Sequence, residues 1–382
     1  MIEATRECAR LLEVWVDTFD SDAEKVALAL GEAPEARCQE VLKQCEQRLQ
    51  NDAVSRVIVR AHDLLPRSPR DAQRLARLAL RMTRHLKDDP SRDLPLIEGD
   101  AWRECAAAHL ELSEFADAYD AVTNARACYS RTEASRINAT ILALIEGRTL
   151  YELGKAKEAL AIVDRASTEL LDLSVDRKKY VQARTIYASI LAGMADYDAA
   201  LDVFSAAADF AMKAGDQQTL AYVLSNAGLC AAKLEDYPRA RKCFNSALQY
   251  FADLGLVSEM PHVRAALVTI LRQQGRYNEA VSELYKVRAE FLSLGIPVAA
   301  AIASLRIVEV LLLCGRTRDV PELCDEMFQT FASARLQNNL LLALGYLSEI
   351  ARERELAASD VTYVASFMEE AEHNPDQEFA PA

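Results

Sequence analysis

Residues 217–254 read QQTLAYVLSNAGLCAAKLEDYPRARKCFNSALQYFADL, and this stretch decides the fold. Leu224, Gly228 and Ala231 follow one another at four- and three-residue steps, which places them on one face of a helix. Asp236-Tyr237 marks a turn. Beyond it Ala240, Phe244 and Ala247 repeat the same steps on a second helix. Gly228 and Ala240 stand twelve residues apart. They fit the point where two antiparallel helices cross, because only small side chains allow close approach there. Tyr237 would cover the turn.

Outward from this stretch the pattern recurs. Ala118/Val122/Ala125, Ala159/Val163/Ala166, Ala200/Phe204/Ala207, Ala240/Phe244/Ala247, Ala280/Leu284/Val287 and Val320/Cys324/Met327 follow at steps of 40 or 41 residues, the last copy being the most degenerate. A fixed period of this length is the signature of stacked supersecondary units. Ala106, Gly147, Ala188, Val268 and Val308 take the place of Gly228, and Phe115, Tyr197 and Tyr277 that of Tyr237. Gly154, Gly275 and Gly315 mark turns between helices, where glycine relieves a left-handed backbone.

These residues resemble the tetratricopeptide repeat, and Trp102, four residues before Ala106, falls on that family's tryptophan position. The repeats are longer than the family's usual length of about 34 residues and lack its closing proline. They resemble the superhelical sensor domains of bacterial maltose-regulator-type activators and of Rap-type peptide-binding regulators. The resemblance covers Leu94 to Glu353. It implies an all-α, right-handed superhelical α-solenoid of antiparallel helix pairs.

Composition agrees. Apolar residues make up 51% of the 382, while Gly (12) and Pro (11) are scarce, which favours long helices. No segment alternates with a period of two, so no strand is expected. The net charge of −14 suits a soluble protein and counts against general nucleic-acid binding. The N-terminus lacks the basic and apolar regions of a signal peptide, and no apolar run approaches a membrane span, so a cytoplasmic location is expected. Nine scattered cysteines imply reduced thiols, most of them small core residues.

The expected organisation is an N-terminal helical cap over 1–50 and a divergent repeat over 51–93, where Ala72/Ala76/Ala79 echoes the pattern. Six repeats follow over 94–335, then capping helices over 336–372 and a disordered tail over 373–382. In the cap, Leu11, Leu12, Trp15, Val16 and Phe19 form an apolar stripe.

No P-loop, GxGxxG, GxSxG or HExxH motif is present, and no histidine stands at ligand spacing from a cysteine or acid. The reading is therefore non-enzymatic, without metal or cofactor. His62 beside Asp63 reads as a solvated helix face rather than a general base. Two surfaces remain as candidates. Ser68-Pro69-Arg70-Asp71 starts a helix well, and Arg70, Arg74, Arg77, Arg81 and Arg84 then share one face, with Leu75, Leu78, Ala79 and Met82 toward the core. That ridge either docks an acidic helix, a phosphate or nucleic acid, or is a solvated face or pairs with acids of the cap such as Glu40 and Glu46.

The second surface is implied by the resemblance, in which the first helix of each pair lines the inside of the superhelix. Transferred to this sequence, the lining residues are Arg103, Leu144, Arg148, Tyr151, Gln182, Thr185, Tyr222, Asn226, Leu229, His262, Thr269 and Arg272. Asn226 has the donor and acceptor needed to hold a peptide backbone. Arg103, Arg148 and Arg272 suit an acidic segment. The expected role is a scaffold, adaptor or regulator that holds a protein or peptide. The alternative is a sensing subunit that binds a small molecule or short peptide and controls a separate transcription or effector protein. A homodimer through a terminal cap is compatible with either.

Overall fold

The computed structural model describes residues 2–18, 21–45, 51–84, 93–132, 136–172, 177–333, 338–353, 356–373 and 379–380. Among them the chain forms α1 (Ile2–Thr18), α2 (Ser21–Glu32), α3 (Glu35–Cys45), α4 (Asn51–Leu64), α5 (Pro69–Thr83), α6 (Leu94–Glu111), α7 (Phe115–Tyr129), α8 (Arg136–Glu152), α9 (Ala156–Asp172) and α10 (Arg177–Gly193). There follow α11 (Tyr197–Ala214), α12 (Gln217–Lys233), α13 (Tyr237–Asp253), α14 (Met260–Gln273), α15 (Tyr277–Ser293), α16 (Pro297–Leu313), α17 (Val320–Ser333), α18 (Asn338–Glu353) and α19 (Ala358–His373). No strand occurs among the described residues. The fold is all-α and built of helix pairs. The chain divides into two compact units, Met1–Ile190 and Leu191–Ala382.

The helix pairs form for the reasons the pattern gives. At the crossing of α12 and α13, a Cβ added to Gly228 would lie 2.7 Å from the Phe244 ring. At the crossing of α8 and α9, one added to Gly147 would lie 2.2 Å from Val163. In the later repeats Val268 replaces the glycine and Leu284 replaces the phenylalanine, both buried in one core cluster. The smaller Leu284 leaves room for the Val268 side chain where Phe244 leaves room only for a glycine, as a close-packed interior requires.

The turns inside the pairs use a left-handed residue at each repeat: Ser113, Gly154, Ala195, Glu235, Gly275 and Gly315 all have positive φ. Three of these are not glycine, which is why the sequence marks only the other three. Asp196, Asp216 and Asp236 then cap α11, α12 and α13, each accepting from a backbone N–H three residues on.

In the first unit Leu12 and Trp15 of α1 are fully buried with Val54, Leu75, Leu78 and Met82. The Val16 side chain and Phe19 lie outside the described residues. Gly31 brings α2 against α5 so closely that a Cβ would sit 2.2 Å from the Arg74 carbonyl oxygen. In the second unit, Phe379 packs on Tyr346, Tyr363 and Phe367 with ring centroids 5.0–5.8 Å apart. The Phe379 ring thereby finds an aromatic surface on α18 and α19.

Candidate functional site

The arginine ridge is structural over much of its length. Arg81 Nη1 donates to the Leu30 and Ala33 carbonyl oxygens at 2.7 and 2.8 Å, which closes the C-terminal end of α2. Arg81 and Arg84 both pair with Glu35, and Arg74 pairs with Glu32 and Asp71. The acids of the cap are thus Glu32 and Glu35 rather than Glu40, and Glu46 lies outside the described residues. Arg70 and Arg77 are exposed. The five do not share one environment, since α2 and α3 pack over only part of the α5 surface.

The residues expected on the first helices also divide. Arg103 is no open cation. Its guanidinium reaches Asp100 at 2.8 Å, Glu104 at 3.0 Å and the Tyr129 hydroxyl at 3.3 Å. His62 Nδ1 lies 3.1 Å from the other Glu104 oxygen, and Tyr129 donates to Asp100 at 2.7 Å. Burial raises the Glu104 pKa, but the His62 hydrogen bond and the Arg103 charge outweigh it and hold it below the ordinary value. The hydrogen bond to Glu104 in turn holds His62 above its ordinary value. Leu144 is buried in the core. Arg148 is half exposed and pairs with Glu111. Tyr151 packs against the core, Gln182 is exposed, and Thr185 donates to the Val181 carbonyl.

In the second unit Tyr222 sets its ring edge-on to Phe251, with centroids 5.1 Å apart, and burial raises its hydroxyl pKa. Asn226 is half-buried and Leu229 exposed. His262, Thr269 and Arg272 come together at a cavity of about 460 Å³ between α14 and α16. That volume lies within the usual range for ligand pockets. Phe291 of α15 stands behind His262, their rings edge-on at 4.8 Å. Ala266, Ile302 and Ala303 give the wall its apolar part, and Lys233 of α12 reaches the rim. Glu309 accepts from Arg272 on one oxygen and from Arg306 on the other, the latter at 3.2 Å.

Sequence reasoning missed Ile302, Arg306 and Glu309, although the repeat contained them. Tyr222, His262 and Ile302 stand 40 residues apart in turn. So do Asn226, Ala266 and Arg306, and likewise Leu229, Thr269 and Glu309. Carrying the frame one repeat further would have found the second wall.

Other chemistry is confined. One group of donor atoms spaced as for a metal occurs among the described residues: His109, Glu114 and Asp117, within 4.8 Å of one another. His109 Nδ1 and Glu114 Oε2 lie 2.6 Å apart, and the buried Gln73 amide donates to the same Glu114 oxygen at 2.8 Å. This corrects the expectation that no histidine meets an acid, because the α6–α7 turn brings together residues five apart. His109 and Glu114 are already engaged with each other and with Gln73. Burial pushes the Cys105 and Cys324 thiols up to about 12, so neither offers a thiolate near neutral pH. No helix among the described residues is long and apolar enough to cross a membrane.

No protein-family model and no curated relative matches the chain. Solved structures do. The aspartyl phosphate phosphatase F of Bacillus subtilis superposes with a TM-score of 0.58 at 14% identity, over 98% of this chain and 96% of that one. A Rap protein in complex with competence and sporulation factor gives 0.51 at 15% identity, over 96% and 100%. A signal transduction ATPase of Pyrococcus horikoshii with a tetratricopeptide repeat sensor gives 0.58 at 13% identity. This chain is covered over 92% in that comparison but spans about half of that protein, 52%. At these identities the likeness shows the fold: a helical-repeat architecture of tetratricopeptide-like, Rap-like type.

Proposed function

We propose that this protein is a non-catalytic, peptide-binding regulatory adaptor. The observation that carries the reading is the cavity between α14 and α16. It combines an apolar wall with several cationic heads, on the first helices of adjacent repeats. A peptide suits such a site, since its side chains can use the apolar wall while its polar groups meet Thr269 and the arginines. The absence of a catalytic motif in the sequence and the raised thiol pKa values give no support to an enzymatic role. A peptide sensor also agrees with the Rap protein solved with competence and sporulation factor, which shares this fold. Of the remaining expected contacts, Tyr222, Asn226 and Leu229 would extend the site along α12.

Affinity selection from a random hexapeptide pool, read by mass spectrometry, tests the reading. The wild-type chain should retain a defined subset. Ala266→Trp, which fills the cavity from a half-buried position, should lose it while keeping its helical circular dichroism. Retention of the same peptides by the tryptophan variant would remove the cavity from the reading.

A further inference from the structure

The cavity is cationic in a chain of net charge −14. Lys233, Arg272 and Arg306 line it together with His262, against one carboxylate, Glu309. Glu309 is divided, one oxygen to each arginine. Arg272 engages it through Nη1, which leaves most of its five N–H donors available to a ligand. Among the described residues Lys233 makes no ion pair. Arg306 is shared in a second direction: its Nη2 donates to Glu369 of α19 at 2.9 Å. The cavity therefore holds more positive charge than its own acid balances, and one of its arginines is tied to another helix.

Resting on the reading of the cavity as a peptide site, we propose that it seats an acidic side chain or the C-terminal carboxylate of the bound peptide between Arg272 and Arg306, and that this carboxylate draws Arg306 away from Glu369. Two guanidinium groups facing one point are the arrangement that recognises a carboxylate. Glu309 occupies that point in the ligand-free protein and competes with the incoming acid. A peptide is favoured over a free dicarboxylic acid because the latter leaves most of the 460 Å³ and the Phe291–Ile302 wall unfilled. The Arg306–Glu369 pair is exposed at both partners, 42% and 49%, so its loss is a small bias on α19 rather than its release.

Four full-length chains test this: wild type, Ala266→Trp, Glu309→Gln and Glu369→Gln. The probes are a hexapeptide pool with one fixed Glu and a free C-terminus, the same pool with Gln and an amidated C-terminus, and glutarate. The acidic pool should bind wild type about tenfold or more tightly than the neutral pool, the scale of a charge-assisted contact. Glu309→Gln should tighten the acidic pool further, by removing the competitor. Hydrogen exchange over residues 358–373 should quicken about two- to fivefold when the acidic pool binds, and by the same factor in Glu369→Gln without any probe.

Equal binding of both pools, blocked by Ala266→Trp, would overturn the carboxylate seat and leave the peptide-binding function standing. Glutarate binding without either pool would overturn the peptide as the source. No binding by any probe would remove both the seat and the function. Unchanged exchange in Glu369→Gln would overturn the link to α19.

Discussion

Arg103 in the first unit and Arg272 with Arg306 in the second all project from first helices of their pairs, yet they do opposite things. Arg103 is surrounded by Asp100, Glu104 and the Tyr129 hydroxyl, and its side chain is only 17% exposed. Arg272 and Arg306 share Glu309 beside a cavity, and Arg306 reaches Glu369 as well. The difference teaches that position on a helix face does not make an arginine a ligand contact. Burial and unspent donors decide it: Arg103 spends four N–H contacts in a closed network, whereas Arg272 engages Glu309 through Nη1 alone and lies beside a cavity.

The comparison breaks first at the acids. Glu104→Ala leaves the buried Arg103 with Asp100 as its one carboxylate and should destabilise the first unit by about 2–3 kcal/mol. Glu309→Gln keeps an acceptor between two part-exposed arginines and should change the second unit by less, about 1 kcal/mol. Hydrogen exchange of α6 and of α16, followed through denaturant, reads each unit separately. Equal losses would erase the distinction between a closed network and an open cavity.

Arg81→Leu against Arg272→Leu sharpens it. The first leaves two carbonyls at the end of α2 without their donor and should cost about 2 kcal/mol by chemical denaturation. The second should cost much less in stability and act on peptide affinity instead.

The next effect is smaller and depends on pH. Glu104 is held below its ordinary 4.5, so its contribution is present above that value and fades as pH falls through the folded pKa. His62 is held above its ordinary 6.5, so its contribution is full below that value and fades as pH rises through the folded pKa. The first unit should therefore hold best between those two ordinary values and weaken slightly toward pH 8, since His62 is largely exposed. His62→Gln should flatten the alkaline side of a melting-temperature profile. A profile unaltered by that change would show that His62 does not contribute.

Smallest are the turns. Ala195→Gly in the second unit relieves a left-handed alanine and should gain up to about 1 kcal/mol. Gly154→Ala in the first should lose a similar amount. Thermal melts of the two variants check the pair, and like signs would exclude backbone strain as the cause.

Much of the fold was legible because its determinants are local. The 40-residue recurrence of Gly228, Ala240 and Phe244 encodes helix, turn and crossing within one repeat, each settled by neighbours in sequence. The site was legible only in part. His262, Thr269 and Arg272 were reached through the family frame, and Arg306 stood one repeat beyond where the frame was carried. Asp100 and Glu104 stand beside Arg103 on α6 and could have been noticed, whereas Tyr129 and His62 join the network only when α7 and α4 pack against that helix. Which acids of the cap the arginine ridge meets was likewise out of reach, since Glu32 and Glu35 approach α5 through a contact that Gly31 permits.

The sequence by itself determined an all-α repeat protein with small crossing residues, glycine-marked turns and no catalytic motif. Periodicity and side-chain size are properties of a segment and its near neighbours, so they can be read along the chain. Tertiary structure alone decided which charges are spent and which remain available. An ion pair joins residues such as His62 and Glu104, or Arg306 and Glu369, that are 42 and 63 positions apart. Helical spacing gives the acids three or four residues away, but no local pattern encodes which distant acid an arginine will meet.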